Sequence, residues 1–471
     1  MKDKINIISK SELIFKILYL ISVLFAFNGF FAGSRCITLF NYALVLFGGV
    51  LLTIRLVNIK RYIKTPFLPM LILFCVSMCL SAVLNINYGF LEGVKSILWT
   101  TLQFGLLYAV DENKSIDECK KEFVLLSSIF CIYVFIANII SIGMFFCNYG
   151  VFGQYSPSGN IIGFIWGRLW GVYSDPNNGS VLAVASITLS LCAFAKIKRK
   201  RLFKSFLLIN IFIDYMYIML SDSRTGFVVA FISVALVLFL ILKDNKKMKL
   251  KVPLKSVLCV VIAVALSISF ITVSISIKNG YNELAIKKIS SSQNDSSAET
   301  PSESKDPPII TGRDPSDTEN DISNRRFSLW KSGIEIWKTS PIYGVSQRNI
   351  VTYASDKLPK TYMVNNDLGN FDSTHNLFID ILVGQGIIGL VIILAFFVGV
   401  AVIIIRNLFS NKQNCDNTID IYAVASIGML SAFACSSMFI LDVLYLNSVA
   451  TVMFWIILGY LMKFTYKRNN S

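Results

Sequence analysis

Residues 386–405 read GIIGLVIILAFFVGVAVIII, twenty residues without a charged side chain. At 1.5 Å per residue, a helix of this length crosses the roughly 30 Å hydrocarbon core of a bilayer. Eleven further apolar runs lie at 13–33, 36–54, 66–86, 93–110, 122–146, 178–195, 205–221, 225–242, 257–277, 420–441 and 447–464. The pattern predicts an all-α polytopic membrane protein with about twelve transmembrane helices.

The composition supports a membrane protein over a soluble one. Of 471 residues, 54% are hydrophobic and 15% are charged, with a mean hydropathy of +0.62; a soluble domain carries about a quarter of its residues as charged ones. The net charge of +15 sits in short strips between apolar runs, so no domain remains to bind nucleic acid. The ten cysteines form no CxxC pair and predict neither a disulfide framework nor a zinc site. The run 13–33 is long enough to be an uncleaved first helix rather than a signal peptide.

The distribution of lysine and arginine predicts the orientation. With a cytoplasmic N-terminus, the inner segments are 1–12, 55–65, 111–121, 196–204, 243–256, 406–419 and 465–471, and they hold 26 of the 44 Lys and Arg residues. The short outer loops hold only Arg35, Arg168 and Arg224. This asymmetry predicts that both termini are cytoplasmic, in a plasma or inner membrane.

The predicted spans divide the chain into three parts. Residues 1–277 form an N-terminal bundle of about nine helices, 278–374 an extracytoplasmic loop, and 375–471 the C-terminal transmembrane helices. Within the loop, residues 290–323 carry nine Ser, eight Asp or Glu and no aromatic residue, which predicts a flexible acidic insert. An amphipathic helix is predicted near 324–340, with Phe327, Trp330, Ile334 and Trp337 on one face, lying against the outer leaflet or capping the bundle.

A first polar motif, GRLWGVYSDPNN at 167–178, precedes the sixth span. Its glycines and Asp-Pro predict a tight polar entry to a helix, in which Asp175 caps a turn. Arg168 is the only cation of this outer loop. It either contributes to a site or anchors the chain to lipid headgroups.

A second motif, SDSRTG at 221–226, separates the seventh and eighth spans. Ser221 or Ser223 would cap the next helix, whose free N–H groups favour anions. An arginine beside such a helix start is suited to clamp a phosphate, so Arg224 is a candidate ligand. The alternative is a surface pair between Arg224 and Asp222.

A third motif, THNLF at 374–378, is followed by GQGIIGL at 384–390. His375 is the only histidine of the chain and lies where the long loop re-enters the membrane, which suits a general base. Asp380 follows it by five residues, off its helical face, so no direct pair is predicted. The glycines indicate close helix packing or a break in the helix. Asp214, inside the seventh span, is interpreted as a helix–helix hydrogen-bonding group near Tyr215 rather than a proton relay.

Together these motifs resemble the O-antigen ligase and polymerase family, which includes the Wzy-type polymerases of capsule and exopolysaccharide synthesis. The resemblance covers nearly the whole chain. It is carried by residues 167–178, Ser223-Arg224-Thr225, 326–330, 341–345 and 375–390. The departures are the acidic insert and Ser346, where family members often carry glycine.

The resemblance implies a GT-C-like membrane glycosyltransferase that moves a glycan from an undecaprenyl-diphosphate carrier to an acceptor hydroxyl. Arg168 and Arg224 would bind the diphosphate, and Arg326 would add to that clamp or position the sugar. His375 would orient or deprotonate the acceptor, and Asn376 would contact substrate beside it. No cofactor or metal is implied, and no acidic cluster with Mg²⁺ spacing occurs in the outer loops. The implied partners are the lipid-linked oligosaccharide, the bilayer, and a flippase and chain-length regulator of the same pathway.

Three functions remain open from the sequence. A repeat-unit polymerase is favoured by a composition rich in Lys, Ile, Asn and Ser, typical of low-GC genomes without lipid A as an acceptor. A ligase would transfer the finished glycan to a lipid, wall or protein acceptor. A flippase or transporter without catalysis would also have about twelve spans, but would place ionisable residues near the midplane, whereas most candidates here lie at the outer rim.

Overall fold

The computed structural model describes residues 2–153, 156, 159–197, 200–243, 252–294, 325–367, 369–409, 420–440 and 443–466. These residues are mostly helical. The chain divides into two compact units, one of Met1–Phe27, Phe31–Ile132 and Ser323–Ser471, the other of Asn28–Phe30 and Tyr133–Ile322. Most of the predicted insert, 295–323, lies outside the described residues, and 290–294 belong to a helix.

Fourteen α-helices are described, and each of the twelve predicted apolar runs overlaps one of them. The two others, α10 and α11, fall in the predicted outer loop. In chain order the helices are α1 (Lys2–Ala26), α2 (Arg35–Val57), α3 (Leu68–Leu84), α4 (Phe90–Leu102), α5 (Ile116–Phe146), α6 (Pro176–Lys196), α7 (Arg201–Ser221), α8 (Arg224–Lys243), α9 (Val252–Asn294), α10 (Arg326–Thr339), α11 (Ile350–Lys357), α12 (Leu377–Phe409), α13 (Ile421–Ser436) and α14 (Val449–Tyr466).

Several helices have the length and composition of membrane spans. Among the described residues, six qualify (α2, α5, α6, α7, α8 and α12), and α3, α13 and α14 are shorter apolar helices. Only 17% of the apolar window of α2 is buried within the chain, and Leu46 and Val398 are 73% and 61% exposed. Apolar helices that leave so much of their surface uncovered are suited to contact lipid. The number of spans stays a prediction.

The first unit has an aromatic core around Trp455. Its ring lies 4.5 Å from that of Phe104 and 5.7 Å from that of Phe396, and its Nε1 donates to Val443 O at 2.8 Å. Phe104 belongs to a π-helical turn, Gln103–Tyr108, that continues α4. The indole N–H therefore has a hydrogen-bond acceptor, while α4, α12 and α14 pack around the ring.

A second buried feature of this unit is charged. Arg55 Nε donates to Glu12 Oε1 at 2.7 Å, and the Tyr62 hydroxyl donates to the same oxygen at 2.9 Å. Lys114 forms an ion pair with Glu122 at 2.5 Å. Apart from Glu122, these groups belong to segments that the lysine and arginine pattern assigns to the cytoplasmic side.

The second unit adds a small sheet to the predicted all-α fold. Strands β1 (Gly150–Val151), β2 (Ile162–Ile165) and β3 (Arg168–Gly171) pair antiparallel in that order, within the predicted outer loop 147–177. Gly163 has a φ of +91° at a register shift, and a Cβ there would lie 2.1 Å from Tyr149 O. The strands are two to four residues long, so they give no alternating pattern that could be recognised in the sequence.

The part of the first unit that lies in the predicted outer loop has a small core of its own. Seven buried residues of α10, α11, the connecting segments and α12 pack together: Ile336, Val345, Ile350, Tyr353, Ala354, Met363 and Val383. This core joins residues 326–364 to the start of α12. The described part of the predicted loop is therefore a folded layer.

Candidate active site

A β-hairpin presents Arg168. The connection between β2 and β3 consists of Trp166 and Gly167, with φ values of 52° and 68°. Two successive positive φ values are typical of the type I′ turn that joins tightly paired strands. Gly171 brings β3 against α5, since a Cβ there would lie 2.0 Å from the Ser141 hydroxyl. Arg168 thus follows a rigid turn as the first residue of β3.

The Arg168 guanidinium links the first motif to the second. Its Nε donates to Ser221 O at 2.9 Å, and its Nη2 donates to Asn177 Oδ1 at 3.2 Å. The same Asn177 oxygen accepts from the Ser223 hydroxyl at 3.0 Å. Residues 167–178 and 221–226, separated by an entire helical pair in the sequence, therefore meet in the structure.

The second motif begins α8 as expected. Ser223 Oγ accepts from the Gly226 N–H at 3.0 Å, which confirms the predicted serine cap. Arg224 is the first residue of the helix and is exposed. At Gly226 a Cβ would lie 2.6 Å from the Ser180 Cβ, so this glycine allows α8 to start close to α6.

Asp222 connects the same turn to α9. It has a φ of 50° and forms an ion pair with Lys278. The sequence offered Arg224 as the partner of Asp222 only in the alternative interpretation, and it assigned residue 278 to the outer loop. Because α9 continues to Asn294, its side chains reach the turn between α7 and α8. Lys278 is therefore a cation of this region that sequence reasoning missed, although it directly follows an apolar run.

A polar stripe on α7 supports this region from within the bundle. The stripe, at spacings of four, three and four residues, consists of the buried Asn210, Asp214, Tyr217 and Ser221. Asp214 Oδ1 accepts from Asn138 Nδ2 at 2.7 Å, which confirms the helix–helix hydrogen bond with an asparagine where the sequence suggested a tyrosine. The Tyr217 hydroxyl donates to Trp170 O at 3.1 Å and so ties β3 to α7.

His375 lies in the first unit, two residues before α12. Its φ is 55°, and its backbone N–H donates to Ser373 Oγ at 3.0 Å. The imidazole is half-buried and meets the Phe371 ring edge to face, with 6.4 Å between centroids. The left-handed backbone turns the histidine out of the line of the helix that follows.

Asp380 organises the residues that precede this histidine. Its Oδ1 accepts from the Thr374 N–H at 2.8 Å and from the Thr374 hydroxyl at 3.0 Å, and its Oδ2 accepts from the Ser373 hydroxyl at 2.7 Å. Sequence reasoning tested only a direct pair with His375 and missed this role. A Ser-Thr pair before a helix with an acid in its first turn is the signal that could have indicated it.

Asn376 forms the N-terminal cap of α12. Its Oδ1 accepts from the N–H groups of Phe378 and Ile379 at 3.0 and 3.3 Å, and its Nδ2 donates to Met438 O at 3.3 Å. Both ends of the amide are thus bonded within the protein. A contact of Asn376 with substrate stays a prediction.

Arg326, the first residue of α10, approaches the same segment as Asn376. Its guanidinium carbon lies 5.4 Å from the centroid of the Phe439 ring. Phe439 directly follows Met438, which binds the Asn376 amide. Arg326, His375 and Asn376 are therefore brought into one region by the residues after α13.

Helix α10 buries a face other than the predicted aromatic one. The buried residues are Leu329, Ser332, Gly333 and Ile336, whereas Phe327 is 66% exposed. The reason is a close approach to α12, because a Cβ on Gly333 would lie 2.7 Å from methyl groups of Thr374 and Ile379. This contact places α10 directly against the residue before His375.

The glycines at 384–389 show both of the predicted features, a break and close packing. Gly386 interrupts α12 with φ 64° and ψ −162°. A Cβ there would lie 2.2 Å from Ile342 O. The freed backbone groups are satisfied by the segment after α10: Ile387 N donates to Pro341 O at 2.9 Å, and Val345 N donates to Val383 O at 2.8 Å. Irregular backbone near a membrane is stable when protein satisfies it in this way.

The predicted site residues thus form two groups. Arg168 and Arg224 lie in the second unit, joined through Asn177 and Ser223. Arg326, His375 and Asn376 lie in the first unit.

Comparison with known families gives a match over the later part of the chain. Residues 209–394 match the family model described as O-antigen ligase. The matched segment includes Arg224, Arg326, His375 and Asn376, while Arg168 precedes it. No curated protein matches the chain significantly. With the apolar helices, this match indicates a multi-pass membrane protein, and it confirms the family resemblance for the motifs within residues 209–394.

Proposed function

We propose that the chain is a polymerase of lipid-linked oligosaccharides, a proposal supported by the match of residues 209–394 to the family model described as O-antigen ligase. It joins undecaprenyl-diphosphate-linked repeat units on the outer face of the cytoplasmic membrane, for capsule, exopolysaccharide or O-antigen. Both termini are cytoplasmic in this proposal, since the lysine and arginine distribution favours that orientation.

The observation that best supports this proposal is the arrangement around Asn177. Asn177 accepts from the guanidinium of Arg168 and from the hydroxyl of Ser223. Ser223 directly precedes Arg224, an exposed arginine at the start of α8. Lys278 adds a third cation at the neighbouring turn. Guanidinium groups beside free helical N–H groups are suited to bind a diphosphate.

In the proposed reaction, the acceptor hydroxyl oxygen attacks the anomeric carbon of the lipid-linked sugar. The bond between that carbon and the diphosphate oxygen breaks, and the undecaprenyl diphosphate leaves with the electron pair. The arginines stabilise the negative charge that develops on the leaving group. Since a diphosphate is already a good leaving group, these residues need to supply charge stabilisation rather than an acid.

His375 takes the proton of the acceptor hydroxyl in this proposal. A histidine titrates near neutral pH, which suits a general base. Its backbone is fixed by Ser373, which Asp380 holds in turn. Arg326 strengthens the diphosphate clamp or positions the sugar, and Asn376 orients the segment through the helix cap.

The test is polymerisation by the purified protein in lipid nanodiscs, supplied with an undecaprenyl-diphosphate-linked repeat unit. We expect a ladder of longer carrier-linked glycans, with losses of at least about a hundredfold in Arg224→Ala and His375→Ala. The matched control is Arg35→Ala, which removes another predicted outer arginine at a helix start. Full activity in both site variants would refute the site, and the absence of any ladder would refute the polymerase.

A ligase is the second candidate, and the description of the matched family favours it. A ligase would leave the carrier-linked glycan unchanged in length and move it to another lipid, wall or protein acceptor. In cells that lack the gene, long glycans retained on the carrier would indicate a ligase. Single repeat units without long chains would indicate a polymerase.

A further inference from the structure

A small polar pocket opens in the first unit at the break in α12. It is lined by the segment Ser346–Arg348, by Gly384 and Gln385 at the break, by Ser96 of α4 and by Tyr445. Its volume is about 10 Å³, which is room for a single water-sized group such as one hydroxyl. Ser346–Arg348, Tyr445 and the start of α4 belong to or directly follow segments that the charge pattern assigns to the outer side. None of the residues to which the proposed reaction assigns a role lines this pocket.

Ser346 occupies a backbone conformation that favours glycine. Its φ is 68° with a ψ of 130°. Two hydrogen bonds hold it there, because its N–H lies 2.9 Å from both Gly384 O and the Ser81 hydroxyl. A side chain at positive φ costs stability, and such strained positions cluster at ligand-binding sites. The residue lines the pocket and is 6% exposed.

Gln347 contributes an acceptor without a donor. The residue is 7% exposed, and among the described residues no group donates a hydrogen bond to its Oε1. This oxygen borders the pocket beside Gly384, where a Cβ would lie 3.1 Å from it. A buried acceptor without a partner costs about 1–3 kcal/mol, so this position favours a ligand that brings a donor.

Arg348 supplies the complementary donor. The residue is exposed, and its Nη2 lies 3.5 Å from Tyr445 O at the pocket wall. A phosphodiester or a diphosphate diester would satisfy the guanidinium but carries no proton at neutral pH for Gln347 Oε1, and a cation would be repelled by Arg348. The lining therefore suits a neutral group that both donates and accepts hydrogen bonds.

We propose that this pocket is a sugar-binding subsite that recognises one hydroxyl substituent of the glycan. Gln347 Oε1 accepts its O–H, and Arg348 donates to its oxygen. The Ser346 hydroxyl narrows the pocket and makes a further contact. The identity of this sugar as part of the transferred glycan rests on the proposed function. Binding of the sugar itself does not rest on the proposed function, since none of the residues proposed to bind the diphosphate lines the pocket.

The experiment measures binding of simple sugars to the full-length protein in nanodiscs. The probes are methyl glycosides of glucose, galactose, N-acetylglucosamine and N-acetylgalactosamine, and the readout is saturation-transfer NMR. We expect at least one to bind the wild type, and Gln347→Met to weaken it about tenfold, the scale of one hydrogen bond. Ser346→Gly, which relieves the backbone strain, is expected to fold at least as stably and to bind more weakly.

The matched control is Thr352→Val in α11. This substitution removes a hydroxyl that donates to Tyr88 O, and Thr352 does not line the pocket. Arg224→Ala is expected to keep glycoside binding while losing transfer. The subsite would be overturned if no glycoside bound to the wild type. It would also be overturned if Gln347→Met and Ser346→Gly bound the glycosides as tightly as the wild type does. Glycoside binding without any ladder from the carrier-linked substrate would instead count against the proposed function alone.

Discussion

At the scale of single residues, Asp380 controls the chain next to His375. The carboxylate is fully buried and accepts three hydrogen bonds from Ser373 and Thr374. Ser373 in turn fixes the N–H of the histidine at its positive φ. The conformation of His375 therefore depends on a residue that contacts its neighbours.

Asp380→Asn tests this dependence. The amide keeps the size of the carboxylate but turns one acceptor into a donor that faces donors. We expect the free energy of unfolding to fall by about 1–3 kcal/mol and the transfer rate to fall with it. Thermal unfolding and ladder synthesis measure the two effects. Asp372→Asn, an exposed acid in the same loop, is the control; equal behaviour of the two variants would contradict the role of Asp380.

At the scale of elements, the break in α12 determines how the folded layer of residues 326–364 attaches. Gly386 lets the segment after α10 bond to both halves of the helix. Gly344 makes the same contact from the other side, since a Cβ there would lie 2.5 Å from Gln385 N. One irregular position thus creates both the docking of Pro341–Ser346 and the wall of the polar pocket.

Gly386→Ala is expected to disrupt this attachment. Its φ and ψ are accessible almost only to glycine, and the added methyl would meet a carbonyl oxygen at 2.2 Å. We expect a loss of about 3 kcal/mol or more in thermal unfolding. Gly143→Ala in α5 is the control, because nothing lies within 4 Å of its added Cβ. That control should be neutral or stabilising by up to about 1 kcal/mol; similar losses in both would argue against a special role for the break.

The helices were largely predictable from the sequence, and their terminal details were not. Apolar runs located twelve helices because spanning segments need continuous hydrophobic character. The strand pairs beside Arg168 depend on Gly163 and Gly171 approaching other backbone or side chains, which no local pattern encodes. The buried face of α10 likewise depends on Gly333 meeting α12. The proximity of residues 167–178 and 221–226 was implied by family resemblance, but the linking role of Asn177 arises from contacts between distant segments, which no local motif encodes.

At the scale of the whole molecule, the charge distribution predicts the orientation in the membrane. Truncated chains fused to reporters at residues 64, 121 and 204 should place a fluorescent reporter in the cytoplasm. Fusions at residues 89, 174 and 350 should instead give activity to a phosphatase reporter that folds only outside. The positive-inside pattern is the reason for this expectation. A cytoplasmic reporter at residues 174 and 350 would place the candidate site on the wrong side for the proposed reaction.

The buried charges at the opposite, predicted cytoplasmic end hold distant parts of the chain together. Arg55 connects α2 to Glu12 of α1 and to Ala109 O after the π-helical turn, at 2.7 Å each. Tyr460 of α14 accepts from Lys16 at 3.1 Å and donates to Glu122 at 2.7 Å. These contacts join the first helices to the last one, so we assign this cluster to folding rather than to transfer.

Glu12→Gln tests this assignment. The side chains of Arg55 and Glu12 are 4% and 5% exposed, so losing the carboxylate leaves a buried guanidinium without its counter-charge. We expect a loss of about 3–5 kcal/mol of stability, while replacing both residues by methionine should recover most of it, because a buried ion pair and an apolar pair of similar volume are often equivalent. The exposed pair Glu92 and Lys95 is the control, and Glu92→Gln should leave thermal unfolding unchanged. Transfer per folded molecule should also be unchanged in Glu12→Gln, so a specific loss of transfer at full stability would show that the cluster acts on the reaction.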